Sequence, residues 1–194
     1  EVICQSFTFS ASANPIMSLG ATPVFVDSER DTWNISPTLL KEAIERRIIA
    51  GKKPKAIIAV HLYGMPYKAD ELQEIADSFG IPIVEDSAEA LGSSHKGIMC
   101  STLGDIGILS FNGNKIITSG GGGCIVTDDK ELAEKAKYIT TTAKISHQWE
   151  YKHDMIAYNY RLPNLNAALL VAQLESLTSF IADKREVASN YNEF

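Results

Sequence analysis

Apolar residues along this chain fall into two alternating rhythms. Short, nearly continuous runs sit at 2–4, 22–26, 55–61, 81–85, 106–111 and 124–127. Runs of that length bounded by Gly, Pro or Asp predict strands. Between them apolar positions recur every three or four residues, the period of a helix face. Ser10 as a cap and Gly20 as a stop frame a helix over 11–19. Ser36-Pro37 predicts another start, with proline at the first helical position and Leu39, Leu40, Ala43, Ile44 and Ile48 as the apolar face. Ala69–Phe79 turns Leu72, Ile75, Ala76 and Phe79 inward and stops at Gly80. Residues 129–143 predict a further helix. The run 165–177 is apolar nearly all round, which calls for burial in a core or against another subunit.

Strands alternating with helices over the first part imply βαβ crossovers and a mainly parallel sheet, hence an α/β fold. The segment 144–164 breaks the pattern. It is polar and rich in Trp and Tyr, the character of a long functional loop. The first residues read as a strand already under way, without an initiator methionine, and the last stop inside a helical pattern. The expectation is a piece of a longer chain, truncated at both ends.

Composition narrows the function. A chain of 194 residues suffices for one large domain; folding such a domain buries roughly 70% of its unfolded surface. A formal net charge of -6 argues against binding a nucleic-acid backbone, which wants a basic surface, but leaves room for a small anionic ligand. Cys4, Cys100 and Cys124 are odd in number, far apart and without a CxxC pair, so neither a zinc knuckle nor a disulfide framework is indicated. A reducing, cytoplasmic setting follows. The apolar runs 56–60 and 167–172 are too short to span a bilayer, and there is no signal-peptide pattern.

The chemistry concentrates in two places. Lys115 sits in a short polar turn, Ser110-Phe111-Asn112-Gly113-Asn114-Lys115, between two apolar segments. A desolvated lysine amine is a nucleophile able to form a Schiff base with a carbonyl cofactor, although most turn lysines are merely solvated. Asp86 follows a strand directly, at the edge where open α/β sheets bind ligands. A pyridine-ring cofactor needs such a carboxylate at its ring nitrogen, yet Asp86-x-x-Glu89 is also a capping-box spacing. Ser110, Asn112, Thr118 and Ser119 are either phosphate donors or turn formers. Gly120 to Gly123 are no P-loop, because a strand follows and no Gly-Lys-Ser/Thr closes the run. Phe7 reads as core, Phe9 as a cover for an aromatic cofactor. His61 lines a pocket or is a satisfied structural histidine. His147 and His153 match no helical metal spacing, so no metal site is expected. Arg161 is an anion ligand or a surface ion-pair partner.

Three motifs in order, Glu85-Asp86-Ser87-Ala88-Glu89-Ala90-Leu91-Gly92, the Lys115 turn, and Asn159-Tyr160-Arg161-Leu162 with Asn166-Ala167-Ala168, resemble the DegT/StrS family of nucleotide-sugar aminotransferases. The likeness covers essentially the whole chain. It implies a fold-type I pyridoxal-phosphate enzyme, a three-layer α/β/α large domain with a mainly parallel mixed sheet. That domain would occupy residues 1–180, with 181–194 starting the helix toward a C-terminal small domain. The resemblance assigns Lys115 to the internal aldimine with pyridoxal 5'-phosphate, which cycles through pyridoxamine 5'-phosphate. Asp86 goes to the pyridinium nitrogen, Ala88 and Phe9 to opposite ring faces, Glu89 to the ring hydroxyl and Ser110 to the phosphate. Asn159 reaches the phosphate of the other protomer in a homodimer. The His61-Leu62-Tyr63-Gly64 and Tyr158–Leu162 segments look most like UDP-4-amino-4,6-dideoxy-N-acetylglucosamine transaminases. These pass the amino group of L-glutamate to the 4-keto carbon of a UDP-linked 4-keto-6-deoxy-N-acetylhexosamine for bacterial surface glycans. A sugar dehydratase of the same family would carry histidine in place of Lys115; a non-catalytic regulatory protein of this fold is the other alternative. The family's upstream Gly-Thr/Ser phosphate loop has no match in this chain.

Overall fold

The computed structural model describes residues 1–194 as two compact units, Glu1–Ser110 and Phe111–Phe194. The first unit begins with β1 (Val2–Gln5), α1 (Ser10–Ser18), β2 (Pro23–Val26), α2 (Pro37–Ile49) and β3 (Ile57–Val60). A single turn of 3-10 helix, Leu62–Gly64, leads into α3 (Ala69–Phe79) and β4 (Ile83–Asp86). A small ribbon of β5 (Ser94–His95) and β6 (Ile98–Met99) precedes β7 (Ile106–Ser110). Within the unit, five strands run parallel in the order β2-β1-β3-β4-β7. The order reverses between β1 and β3, and such a switch opens a crevice at the carboxyl ends of the strands.

Burial explains why these segments become these elements. Ile3, Ile57, Ala59 and Ile83 from the strands meet Leu40 and Ile44 of α2 and Leu72 and Ala76 of α3 in one buried cluster. Each fully buried Leu or Ile contributes about 1.5–3 kcal/mol of transfer free energy. The face expected of α2 is narrower than its apolar residues suggest: Leu39 and Ile48 lie on its exposed flanks. Ser36 caps α2 by accepting from the Leu39 amide, with Pro37 at the first position. Gly80 ends α3 in the left-handed conformation.

The second unit holds β8 (Gly123–Val126), α4 (Lys130–Thr140), α5 (Asn164–Glu175) and α6 (Leu177–Glu193). The Asp129 carboxylate caps α4, accepting from the amides of Glu131 and Leu132. Residues 144–163 carry no helix and are tied by isolated bridges, Thr141 with Asn159 and Lys144 with His153.

Some elements differ from expectation. Ser10 is the first residue of α1 rather than its cap; Phe9 holds the cap position with no side-chain bond. Phe7 is no core residue: it is 43% exposed and packs against Trp33, ring centroids 6.0 Å apart. The β5–β6 ribbon turns on Lys96-Gly97, both at positive φ, a two-residue hairpin too short to carry an apolar pattern. The all-apolar run is two helices broken at Ser176 and bent by 59°. Of α5 only Leu170 is buried within this chain, so a core is not what its apolar surface serves here. No single helix is long and apolar enough to cross a membrane.

Candidate active site

The carboxyl ends of the strands in the first unit gather several expected residues. Asp86 is the last residue of β4, and its register partner is Ile108 of β7, two residues before Ser110. The strands are parallel, so Asp86 and Ser110 leave the sheet at the same edge. The Asp86 backbone is fixed on both sides: its carbonyl accepts from the His61 amide at 3.1 Å, and the next amide, of Ser87, donates to the Ile108 carbonyl at 2.9 Å. Its half-buried carboxylate is fixed as well. Oδ1 accepts from the Ala88 amide at 3.1 Å, and Oδ2 accepts from the Ser12 hydroxyl at 2.5 Å.

These bonds remove the capping-box reading of Asp86-x-x-Glu89. Residues 87–90 form a turn, not a helix, so there is no helix to cap. The Ala88 bond is instead an Asx turn, which aims the carboxylate back over the strand end. Glu89 is exposed, and its Oε2 accepts from the Tyr63 amide at 2.8 Å. Phe9, at the cap position of α1, is 78% exposed.

Beneath this edge lies a buried pair that the sequence reasoning passed over. Glu85 and His61 are both fully buried, with Nε2 of His61 at 2.8 Å from Oε2 of Glu85. The Tyr67 amide donates to Nδ1 of His61, so the ring proton sits on Nε2 and goes to Glu85. Glu85 also accepts from the amides of Ser101, Leu103 and Gly104. Burial pushes its carboxyl upward, but the bonds from His61 and from the Gly104 and Ser101 amides outweigh this and hold it below the usual carboxylate range. His61 is therefore the structural histidine of the two readings. The loop that Glu85 gathers presses on β7 at Gly107, where a Cβ would lie 2.0 Å from the Ser101 carbonyl oxygen. A charged residue in the middle of a strand was the available signal for this pair. Burial also lifts the thiols of Cys4, aided by the Asp86 charge, and of Cys100, aided by Glu85, each to about 11. Both stay protonated, and all three cysteines are free.

In the second unit, Lys115 closes a turn in which its amide donates to the Asn112 carbonyl at 3.1 Å. The loop is tightly tied. The Thr118 and Ser119 amides go to Gln173 Oε1 and the Phe111 carbonyl, and the Phe111 amide to the Gly122 carbonyl. The Thr118 hydroxyl donates to the Phe111 carbonyl and the buried Ser119 hydroxyl to the Gly121 carbonyl. Thr118 and Ser119 are thus turn formers, and their hydroxyl protons are committed to the loop. Asn166 of α5 donates to the Ser119 carbonyl, so α5 braces the lysine loop from two side chains. Tyr158 and Tyr160 stack with ring centroids 4.8 Å apart, and the exposed Asn159 between them bridges to Thr141.

Residues 1–194 match the family model described as the DegT/DnrJ/EryC1/StrS aminotransferase family. The chain belongs to that family. Among curated DegT relatives, EpsN of Bacillus subtilis (strain 168), provisionally named as a pyridoxal phosphate-dependent aminotransferase, is 48% identical. That likeness covers 98% of this chain and 49% of EpsN. The GDP-perosamine synthase of Escherichia coli O157:H7 is 44% identical over 98% of this chain and 50% of its own length. A DegT/DnrJ/EryC1/StrS aminotransferase from Brucella abortus, solved by crystallography, superposes with a TM-score of 0.93 at 34% identity, covering 99% of this chain and 52% of that one. The chain spans about half the length of the curated relatives it matches. The mainly parallel sheet and its helices are the fold of these aminotransferases, as the sequence resemblance implied.

Proposed function

We propose that the protein is a pyridoxal-phosphate aminotransferase that moves an amino group onto a keto carbon of a nucleotide-linked sugar. The observation carrying this reading is Asp86: a carboxylate at a strand end, both oxygens pinned, held at the ligand-binding edge of a parallel sheet. That donor set fits a pyridine ring, because an anchored carboxylate is an acceptor for a ring N–H. Pyridoxal phosphate, when bound, supplies an electron sink that accepts the amino group from a donor and returns it as pyridoxamine phosphate.

The remaining roles belong to side chains of this chain. Asp86 keeps the ring nitrogen protonated. Lys115 holds the cofactor covalently through its ε-amine, and in its released form shuttles the proton on the substrate carbon as general base and acid. Ser110 donates to the phosphate, and Ala88 and Phe9 cover opposite ring faces; the exposure of Phe9 suits this. Glu89 meets the ring hydroxyl. Asn159 reaches the phosphate held by a second copy, so the protein works as a homodimer in the cytoplasm. The lysine itself separates this reading from the dehydratase alternative, which has histidine there.

The donor is L-glutamate and the acceptor a UDP-linked 4-keto-6-deoxy-N-acetylhexosamine, as the Tyr158–Leu162 and His61–Gly64 segments suggest. A GDP-linked sugar is the second reading, favoured by the relative named GDP-perosamine synthase. The test is to offer the full-length protein L-glutamate with a panel of UDP-, GDP- and dTDP-linked 4-keto sugars, following product mass. An aminated UDP-sugar is expected, and Lys115→Ala should abolish it. Undiminished amination by Lys115→Ala would end the reading.

A further inference from the structure

Ser12 and Thr8 lie outside the three motifs that carry the family resemblance. Ser12 lies in the first turn of α1 and is buried, while Thr8 precedes that helix by two residues. Their hydroxyl oxygens are 2.8 Å apart, and Ser12 Oγ is 2.5 Å from Asp86 Oδ2. The direction of this chain of bonds follows from chemistry. An ionised carboxylate only accepts, so Ser12 spends its single proton on Asp86. Thr8 must then donate to Ser12. Each bond strengthens the next, since an oxygen that accepts becomes a better donor.

The same turn also sets the position of Phe9, because the Ser12 amide donates to the Phe9 carbonyl at 3.1 Å. One residue therefore ties the carboxylate at the end of β4 to the entry of α1, across a sequence separation of 74 residues. With the Ala88 amide on Oδ1 and Ser12 on Oδ2, the Asp86 carboxylate cannot rotate about its own axis without losing a charge-assisted bond.

We propose that Thr8 and Ser12 form a two-hydroxyl relay that positions the Asp86 carboxylate for the pyridinium nitrogen of pyridoxal phosphate. They are positioning residues, acting through Asp86, and the proposal rests on the reading of Asp86 as the ring-nitrogen partner. The relay's role is to hold the carboxylate in one orientation and to lock the Phe9 turn to it.

The experiment measures pyridoxal 5'-phosphate binding by full-length protein freed of cofactor, with the absorption spectrum of the bound cofactor and the melting temperature of the cofactor-free form recorded beside it. Ser12→Ala should weaken binding about tenfold or more, the loss of one hydrogen bond to a charged group. Thr8→Val, which keeps shape and removes the hydroxyl, should weaken it by roughly threefold to tenfold and shift the bound-cofactor spectrum the same way. Thr8→Ser should restore both, with cofactor-free melting temperatures unchanged. Should Ser12→Ala fail to fold, the Thr8 pair decides alone. Thr8→Val binding as tightly as the parent with an unchanged spectrum, while Asp86→Asn loses the cofactor, would overturn the relay and leave the Asp86 reading standing. Thr8→Ser, which keeps the hydroxyl, showing the same defect as Thr8→Val would also overturn it, since the hydroxyl would then not be the group that matters. Asp86→Asn binding and reacting like the parent would instead overturn the function on which the relay rests.

Discussion

Glu85 shows how one side chain organises the ground under the site. It is fully buried, so its charge survives only because His61 and the amides of Ser101, Leu103 and Gly104 all point at it. Its folded pKa lies below the ordinary carboxylate value. A group whose pKa falls on folding adds stability above its unfolded pKa, about 4.3 for Glu. That stability is lost as pH drops through the lower folded value. Glu85→Gln keeps the size, removes the charge and turns an N–H toward the donors, so it should cost about 2–4 kcal/mol at neutral pH. Its stability should also fall less steeply on acidification than the parent's. Denaturant midpoints measured from neutral to acid pH check both statements.

The elements show what a sequence makes legible and what it hides. The ends of α2, α3 and α4 follow from Ser36-Pro37, Gly80 and Asp129, because capping is decided by neighbouring residues. The six strands other than β5 and β6 were legible within two residues at each end, because each is an apolar run bounded by breakers. The Asp86 turn was legible as a place but not as a geometry: the spacing to Glu89 suits a cap, and only the absence of a helix at 87–90 resolves it. Ser12 and Glu85 were not legible as partners, since their contacts join residues far apart in sequence. Gly107 belongs to the same class. The chain at Ser101 crosses where its side chain would be. Gly107→Ala should destabilise the protein by about 1–3 kcal/mol through this overpacking, measurable as a lowered urea midpoint with unchanged m-value.

At the scale of the whole molecule, the exposed surface of α5 is the feature that a lone chain leaves unexplained. Leu165, Leu169, Val171 and Leu174 are exposed on a helix that also braces the lysine loop through Asn166 and Gln173. A homodimer burying this surface would couple assembly to the active loop. Light scattering on the full-length protein should give twice the monomer mass, and Leu169→Glu should shift the population toward monomer with loss of cofactor affinity. A monomeric parent protein would contradict this. The chemistry itself turns on Lys115. The most direct test is to load the full-length protein with pyridoxal 5'-phosphate, reduce it with borohydride and map the modified peptide by mass spectrometry. A pyridoxyl group on Lys115 is expected, and modification of another lysine, or of none, would contradict that assignment.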